Sequence, residues 1–433
     1  MKLAVVGAGW AGLAAAVRAA RNGHEVVVYE STRQLGGRAR SLALARGNGD
    51  TALLDNGQHI MIGAYEETLA LMREVGVKPR EVLHRLPLTL RFPDGRGLAL
   101  PSWPAPLDAA GGILTARGWT WSDKLSLLRR ATSWQLRRFR CDERLTVAQL
   151  CRDLSPVVMR DLVEPLCVAA LNTSADRASA TVFLRVLRDG LFGPARDGWG
   201  ASNLLIPRLD LGQVFPEAAS AWLQARGAQV RLGARVHSLR REGSRWNVDG
   251  ERFDAVLLAC PAWEAERLVA QGGIDAPRWL SAVGGLTHEA IATVYAEGGP
   301  ALPLPMLALE SGPDAPAQFV FDRAQLGGPA GVFAFVVSAS DGDAQSIERR
   351  VLAQAASLGW PLKPLKTVIE KRATFACLPG LQRPAIEVAE GLVACGDYVE
   401  GPYPATIEGA VRSALEAADR LRRPAARTVP TAT

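Results

Sequence analysis

The chain has 433 residues, of which 48% are hydrophobic and 22% charged, a composition that is typical of folded proteins and excludes a disordered chain. This length exceeds what one hydrophobic core normally supports, so we expect two domains. The net charge of +6 is small, and the basic residues accompany no nucleic-acid-binding motif and no clustered histidines, so neither nucleic acid nor a metal ion is an expected partner. The sequence has no apolar run long enough to cross a bilayer and no signal-peptide pattern, and its six cysteines are scattered. We therefore predict a cytoplasmic protein with reduced thiols.

The segment 1–30 predicts a strand, a glycine-rich turn, a helix and a second strand. The turn follows an apolar run at 2–6, has the spacing G-x-G-x-x-G and consists of Gly7, Ala8, Gly9, Trp10, Ala11 and Gly12. In such a turn the first glycine makes the bend, the second lets a pyrophosphate approach the backbone, and the third lets helix and strand pack closely. The helix over 13–20 offers free N–H groups to the phosphates. Because Glu30 ends the second strand, where an acid can bind the adenosine ribose, we predict a dinucleotide site.

The residues that follow Glu30 indicate which dinucleotide is bound. Gly36, Gly37 and Arg38 combine a second close approach of the backbone with a guanidinium group that can hold a phosphate. Together with Ser41 they resemble the GG-R-x-x-S motif of the FAD-binding superfamily of amine oxidases, phytoene desaturases and protoporphyrinogen oxidases. The resemblance therefore favours FAD over NAD.

A polar segment at 52–59, ALLDNGQH, continues this region. In the superfamily the equivalent segment lies beside the flavin ring, which implies cofactor contacts for Gly57 and Gln58. Asp55 and His59 are candidates for polar groups in the reaction, and the alternative is that each simply forms hydrogen bonds within the loop.

A second region with many prolines and glycines begins near residue 80. Its segment 117–140 has seven basic residues, one acidic residue and three tryptophans, Trp119, Trp121 and Trp134. Basic residues and tryptophans at helical spacing are typical of an interfacial helix on an anionic membrane. A helix that packs its tryptophans inward and leaves a solvated basic face has the same pattern, and both interpretations stay open.

The rest of the chain alternates helical and strand patterns. Residues 145–187 predict helices, 228–238, 245–249 and 253–259 predict strands, and five further strands at 290–296, 306–310, 318–322, 332–338 and 367–375 suit an antiparallel sheet. By resemblance to the superfamily, the strand around Val236 would contact the adenine through its backbone. The last dozen residues have the composition of a frayed tail.

The last buried strand, at 391–395, leads into a second glycine motif, formed by Gly396 and Asp397 and followed by Ala405, Thr406 and Ile407 at the start of a helix. This segment resembles the C-terminal flavin motif of the superfamily. The resemblance implies that Asp397 binds the ribityl or phosphate region. It also implies that the helix beginning near Ala405 directs its positive end at the flavin. Amine oxidases place a tyrosine of their aromatic cage where Thr406 stands, which argues against an amine substrate.

The two motifs lie at opposite ends of the chain, which predicts discontinuous domains. The expected fold class is α/β, with a Rossmann-type FAD-binding domain at 1–80, 205–285 and 386–425. A substrate-binding domain of mixed antiparallel sheet and helices is expected at 81–204 and 286–385, and a tail at 426–433.

Five segments, at 54–69, 164–189, 202–219, 370–379 and 396–413, extend the resemblance over nearly the whole chain. They are similar to the squalene-associated FAD-dependent desaturase family, which includes hydroxysqualene dehydroxylases. The resemblance implies non-covalent FAD, reductive removal of the hydroxyl group of hydroxysqualene to give squalene, and an unidentified electron donor. For the proton that the leaving hydroxyl needs, the candidates are Asp55, His59 and Tyr403.

Such an apolar substrate also implies a peripheral contact with the inner face of the membrane through 117–140. Three other functions stay open. A carotenoid or phytoene-type desaturase and a protoporphyrinogen oxidase-like enzyme would use the same fold, and a prenyl-lipid carrier of this fold would bind isoprenoid without redox chemistry.

Overall fold

The computed structural model of the protein describes residues 1–45, 51–193 and 198–421. The predicted tail lies outside the described residues. Buried apolar side chains form one large cluster that runs through the molecule and a second, smaller cluster between residues 292 and 355.

Strands occur along the whole described chain and are numbered in order: β1 Lys2–Val6, β2 Glu25–Glu30, β3 Ser41–Ala45, β4 Thr51–Asp55, β5 Met61–Ile62, β6 Leu83–Leu86, β7 Thr89–Arg91, β8 Gly97–Ala99, β9 Leu204–Pro207, β10 Gln229–Leu232, β11 Leu239–Glu242, β12 Arg245–Val248, β13 Glu251–Phe253, β14 Ala255–Leu258, β15 His288–Glu297, β16 Met306–Ala308, β17 Phe319–Asp322, β18 Val332–Ser338, β19 Lys363–Phe375, β20 Glu387–Ala389 and β21 Leu392–Ala394.

The α-helices are α1 Trp10–Arg21, α2 Glu66–Glu74, α3 Pro79–Val82, α4 Leu107–Thr115, α5 Trp121–Leu136, α6 Val147–Leu150, α7 Pro156–Val158, α8 Glu164–Leu171, α9 Ala180–Phe192, α10 Leu211–Val214, α11 Pro216–Gln224, α12 Ala262–Gln271, α13 Pro277–Gly284, α14 Ala344–Ser357 and α15 Ile407–Arg420. A π-helical turn at Met159–Val163 and a 3₁₀ turn at Ala324–Leu326 complete the set.

A six-stranded sheet has the order β10-β2-β1-β14-β21-β20, and all neighbours are parallel except β20 and β21. β1 is a short apolar run whose residues from Leu3 onward are buried, as expected for a parallel strand covered on both faces. Helix α1 packs against α11 and α15 beside it. The sheet brings together segments from both ends of the chain, and it confirms the α/β class.

A five-stranded antiparallel sheet has the order β16-β17-β18-β15-β19. All five strands were predicted, and β19 begins at Lys363, earlier than predicted. The smaller apolar cluster joins one face of this sheet to α14 through side chains such as Ile347 and Val351. The helices between 107 and 192 contact one another, as in the pairs α4 and α5, α5 and α7, and α8 and α9, and we call them the helical layer. The helical spacing of 145–187 predicted the later part of this layer.

Two element boundaries differ from their predicted positions for local reasons. The strand predicted at 228–238 ends at Leu232, because β2 ends at Glu30 and offers no further partner in the described sheet. Beyond it the chain turns at Gly233, with a φ of +65°, and the Ala234 amide donates to the Glu30 carbonyl at 2.7 Å. The helix predicted to begin near Ala405 begins at Ile407, because Ala405 is left-handed, with a φ of +56°.

The predicted domain segments stay a prediction. The strands of the six-stranded sheet fall within 1–80, 205–285 and 386–425, and the five-stranded sheet falls within 286–385. A three-stranded sheet of β5, β9 and β6, however, pairs residues from segments assigned to different domains.

Candidate functional site

The glycine-rich turn after β1 has a backbone that only glycine allows at two positions. Gly7 has a φ of +111°, and a Cβ atom there would lie 2.8 Å from the Ala259 carbonyl oxygen. A Cβ at Gly12 would lie only 1.8 Å from the Gly7 carbonyl oxygen, because the first turn of α1 packs directly on the bend. These two glycines therefore shape the turn.

Gly9 has a different environment from its two neighbours in the motif. A Cβ built there would lie 3.8 Å from the Gly37 Cα, and no closer atom of the described residues obstructs it. The Gly36 amide donates to the Ala8 carbonyl at 2.9 Å, so the two predicted glycine segments meet. Their juxtaposition places glycine backbone, without side chains, at the N-terminus of α1, where free N–H groups favour a phosphate.

Glu30 holds this turn as well as ending β2. One carboxylate oxygen accepts from the Ala8 amide at 2.9 Å, and the other accepts from the Thr32 amide at 2.8 Å and the Thr32 hydroxyl at 2.9 Å. The side chain is buried. Among the described residues Oε2 accepts from the Ala8 amide only, and because a carboxylate oxygen has more than one acceptor position it can also accept from a ribose hydroxyl.

Arg38 and Asp397 join the N-terminal and C-terminal motifs. The Arg38 Nη2 forms a hydrogen-bonded ion pair with the Asp397 carboxylate, and Nη1 donates to the Ala373 carbonyl at 2.8 Å. Gly396, next to Asp397, is held by Ser413 of α15, whose hydroxyl accepts from the Gly396 amide at 2.9 Å. Two residues predicted to contact the phosphate or ribityl region are thus adjacent in space, although 359 positions separate them.

Helix α15 begins directly beside this pair. The Ala405 amide donates to the Asp397 carbonyl at 3.2 Å, and Thr406 caps the helix by accepting from the Gly409 amide at 2.9 Å. Ile407 is the first helical residue. Three predicted cofactor residues therefore surround a helix N-terminus, which carries a partial positive charge.

Two predicted cofactor residues have side chains that are occupied elsewhere. The Trp10 indole packs against Phe215, with 5.0 Å between ring centroids, and its N–H donates to the Ala39 carbonyl at 3.3 Å. Only its backbone, at the start of α1, is left for a cofactor. Val236 lies outside any described strand, so the predicted strand at this position is wrong. Its carbonyl accepts from Arg267 at 2.9 Å, and its backbone contact with adenine stays a prediction.

Asp55 is a buried carboxyl group at the end of β4. One oxygen accepts from the Leu211 amide at 2.7 Å, and Oδ2 has no hydrogen-bond partner among the described residues. Burial raises the pKa of Asp55 to about 7. The carboxyl group is therefore partly protonated near neutral pH, which is unusual for an aspartate.

Arg323 lies near Asp55, and the sequence reasoning missed it. Only 2% of this arginine is exposed, and its Nη1 donates to the Gln58 side-chain oxygen at 2.9 Å. The positive charge of Arg323 lowers the pKa of Asp55, but by less than burial raises it. One signal was present in the sequence, since Arg323 directly follows the apolar strand pattern FVFD.

His59 is half-buried beside the same segment. Its Nδ1 lies 2.7 Å from the Gly57 carbonyl, which requires Nδ1 to carry the proton and donate. Burial lowers the pKa of His59, so the imidazole is neutral at pH 7. A neutral imidazole is a weak acid, and this argues against His59 as the proton donor.

Tyr403, in the loop before α15, contacts an aspartate that the sequence reasoning missed. Its hydroxyl donates to Asp189 of α9 at 2.8 Å, and burial raises the pKa of Tyr403. Asp189 also accepts from Arg185 at 2.5 Å and from Arg188 at 2.7 Å. The contact ties the helical layer to the loop that leads into α15.

The described cysteines are free thiols. Cys377, which lies only loosely where some amine oxidases carry a flavin-linked cysteine, is buried, and burial raises its pKa to about 12. A neutral buried thiol is unreactive, which supports the predicted non-covalent cofactor. Within residues 1–45, 51–193 and 198–421, no three His, Cys, Asp or Glu side chains are placed to hold a metal ion.

Residues 10–355 match the family model described as flavin containing amine oxidoreductase, and the chain belongs to this family. Hydroxysqualene dehydroxylases from Sinorhizobium fredii and Rhodopseudomonas palustris are 28% and 29% identical to it, each over 96% of this chain and 97% of the relative. A probable zeta-carotene desaturase from Synechococcus elongatus is 27% identical over 55% of the chain and 51% of its own length. An oxidoreductase from Methanosarcina mazei, 17% identical, shares the fold with a TM-score of 0.73 over 97% of this chain and all of that one.

The protein is thus a FAD-dependent oxidoreductase within the superfamily that the sequence indicated. The residues of the turn fit a pyrophosphate, because Gly9 and Gly37 approach each other so closely that a Cβ at Gly37 would lie 3.2 Å from the Gly9 Cα, and no described side chain covers the backbone there. The Arg38–Asp397 pair and the N-terminus of α15 would supply charged and polar groups to a bound FAD.

Proposed function

We propose that this protein removes the hydroxyl group of hydroxysqualene by reduction and releases squalene and water. The observation that carries the proposal is the resemblance to two hydroxysqualene dehydroxylases over nearly the full length of each chain. The site adds support, since Thr406 is a helix cap where an amine oxidase would have an aromatic residue of its cage.

The reaction needs a hydride at carbon and a proton at the departing oxygen. FAD, when bound and reduced by an electron donor, supplies the hydride. The chain itself must hold the isoprenoid, keep water away from the carbon that loses its C–O bond, and deliver the proton. The carbon–oxygen bond breaks, a carbon–hydrogen bond forms, and the oxygen leaves as water.

Asp55 suits the proton transfer better than His59 or Tyr403. Its Oδ2 is the only one of its two oxygens without a partner in the described chain, and the protonated form is accessible near neutral pH. The neutral His59 uses its Nδ1 proton in a bond to Gly57. The Tyr403 proton is held by Asp189, which makes it harder to release.

The surface of α4 and α5 fits the membrane contact proposed for 117–140. Six of the ten exposed large apolar side chains of the described residues lie between 103 and 136, namely Trp103, Leu107, Leu114, Trp121, Leu125 and Leu136. We call these six the apolar surface. Arg129, Arg137, Arg138 and Arg140 are exposed on the same segment, as suits an anionic lipid partner. Within the described residues, no helix has the length and hydropathy needed to cross a bilayer.

The segment has features of both interpretations, and its membrane contact stays a proposal. Trp119 and Trp134 pack inward, whereas Trp121 is 68% exposed. Arg130 is not available to a membrane, because it donates to the Leu150 carbonyl at 3.1 Å and pairs with Asp153 at 3.3 Å.

Product analysis tests the proposed reaction. The flavin-loaded protein, chemically reduced without oxygen, is expected to convert hydroxysqualene to squalene, and Asp55→Asn should slow this conversion about 100-fold, within the range for loss of a general acid. Tyr403→Phe serves as the matched variant and should retain more activity. Absence of squalene from the reduced wild-type reaction would refute the proposal.

A carotenoid-type desaturase is the second candidate, supported by the partial similarity to a carotene desaturase. Such an enzyme would use oxidised FAD and remove hydride from phytoene. Incubation of the oxidised protein with phytoene separates the two functions, since only a desaturase would form extra double bonds. The FAD dependence of the family argues against a carrier without redox chemistry.

A further inference from the structure

A cavity lined by apolar side chains lies within the helical layer. Its walls come from α4, α5, α8, α9, the π-helical turn and the segment around β7 and β8. No polar atom of the described residues is exposed to its interior, and its volume is about 70 Å³. A dry cavity of about 150 Å³ binds benzene, so this one holds only a few carbon atoms as it stands.

The two helices that cover the cavity, α4 and α5, each direct apolar side chains toward it and further apolar side chains toward the exterior, where α5 also carries polar and basic residues. On α5, Leu127, Ala131 and Trp134 face the cavity, whereas Trp121 and Leu136 of the apolar surface face outward. The spacing of four and then three positions places the inner set on one side of the helix. The thickness of one helix, about 10 Å, therefore separates the cavity from the apolar surface.

Helix α9 forms the opposite wall. Phe183, Leu187 and Leu191, each four positions apart, line the cavity. Arg185 and Asp189, also four positions apart, project from a different face of the same helix toward Tyr403. Only the helix α9 thus lies between the cavity and the loop that leads into α15.

The packing of α5 over the cavity is incomplete. The indole N–H of Trp134 is buried and has no hydrogen-bond partner in the described part of the chain. Buried indole N–H groups normally find a partner, and one that does not lowers stability. Trp134 thus both borders the unfilled cavity and carries the unpaired donor. We infer that α5 packs against α8 and α9 less tightly than the helices of a protein core usually do.

We propose that this cavity is a site for the hydrocarbon chain of an isoprenoid, filled from the lipid side when α4 and α5 move apart. The proposal rests on the proposed function for the identity of the chain. The apolar character of all the described lining residues excludes a ligand oriented by hydrogen bonds and leaves a hydrocarbon. The exposed apolar surface on the same two helices supplies the contact with lipid from which such a chain would come.

Filling the cavity tests the site without relying on the reaction. Ala131→Phe places a ring in the cavity, and Thr132→Phe adds the same ring on the exposed face of the same helix turn. Binding of radiolabelled squalene to the flavin-loaded protein in detergent micelles is measured for both. We expect Ala131→Phe to bind squalene at least tenfold more weakly and Thr132→Phe to bind it like the wild type.

If Ala131→Phe binds squalene as the wild type does, the cavity is a packing defect and the proposal is wrong. Should that variant not fold, Ala131→Val, which fills less space, must show a smaller loss in the same direction, and an unchanged affinity would equally overturn the site. The outcome is separate from the reaction. Loss of binding in the filled variant without any dehydroxylation by the wild type would retain the site and refute the proposed function. Dehydroxylation by the wild type, together with unchanged squalene binding by Ala131→Phe, would support the proposed function and refute the site.

Discussion

The cofactor region and the helical layer are stabilised in different ways. Around the dinucleotide turn, single atoms decide the structure, as at Gly12, where a methyl group would meet a carbonyl oxygen at 1.8 Å. In the helical layer, many apolar side chains share the packing, and a cavity is left among them. A region with close backbone contacts tolerates few changes, whereas a region packed by dispersed apolar contacts can change shape around a ligand. The difference suits a fixed cofactor and a flexible substrate.

The largest effect is expected from Gly12→Ala. The added methyl group must displace backbone, so we expect a loss of about 4 kcal/mol in the free energy of unfolding and no bound flavin. Gly9→Ala meets no described atom closer than 3.8 Å and should fold normally but retain less FAD. Urea unfolding and the absorbance of released flavin measure both. Equal stability of the two variants would remove the distinction between the shape of the turn and its contact with the cofactor.

The next effect concerns Asp55 and pH. Because the pKa of Asp55 is raised from 3.8 to about 7, the folded protein binds a proton that the unfolded chain has lost, and this group lowers stability as pH rises from about 4 to 7. Above pH 7 the loss in the free energy of unfolding caused by the ionised Asp55 is constant, at about 4 kcal/mol. Asp55→Asn removes this cost, so its stability relative to wild type should increase from pH 4.5 to pH 8.

Thermal unfolding of the flavin-loaded proteins across this pH range measures the difference, and Asp314→Asn, at an exposed position, is the control. Parallel curves for Asp55→Asn and the wild type would show that Asp55 ionises normally. It would then lose its advantage as the proton donor.

A smaller loss is expected from Arg38→Met. Removal of the guanidinium leaves the Asp397 carboxylate buried without its partner, at a cost of about 3 kcal/mol. The double variant with Asp397→Asn should recover part of that stability but not the affinity for FAD. Urea unfolding and flavin retention are measured together. Full additivity of the two single changes would mean that the pair does not couple the two motifs.

The smallest effect on stability is expected at the exposed arginines beside the apolar surface. Changing Arg129, Arg137, Arg138 and Arg140 to glutamine should alter the free energy of unfolding by less than about 0.5 kcal/mol each, as is usual for exposed residues. Sedimentation with anionic liposomes should nevertheless decrease sharply, since each basic residue near an anionic surface contributes about 1 kcal/mol. Sedimentation equal to that of wild type would place any membrane contact elsewhere.

The sequence alone predicted the cofactor motifs because their chemistry is local. A turn that needs glycine at Gly7 and Gly12, and a strand that ends in Glu30, can be read from neighbouring residues. The strands of both large sheets were predicted from short runs between turns, except β20, which the sequence analysis missed. The boundaries at Leu232 and Ile407 were missed, because pairing partners and a left-handed residue decided them.

Tertiary structure alone decided which distant residues act together. Nothing near Gln58 in the sequence points to Arg323, and nothing near Tyr403 points to Asp189, because 265 and 214 positions, respectively, separate the partners along the chain. Tertiary structure also decided which of the three tryptophans between 117 and 140 are buried. Helical spacing gives the relative directions of side chains but not which direction faces the core. Local sequence determines backbone conformation and motif chemistry, whereas burial, ionisation and cavities depend on packing between segments that the sequence order keeps apart.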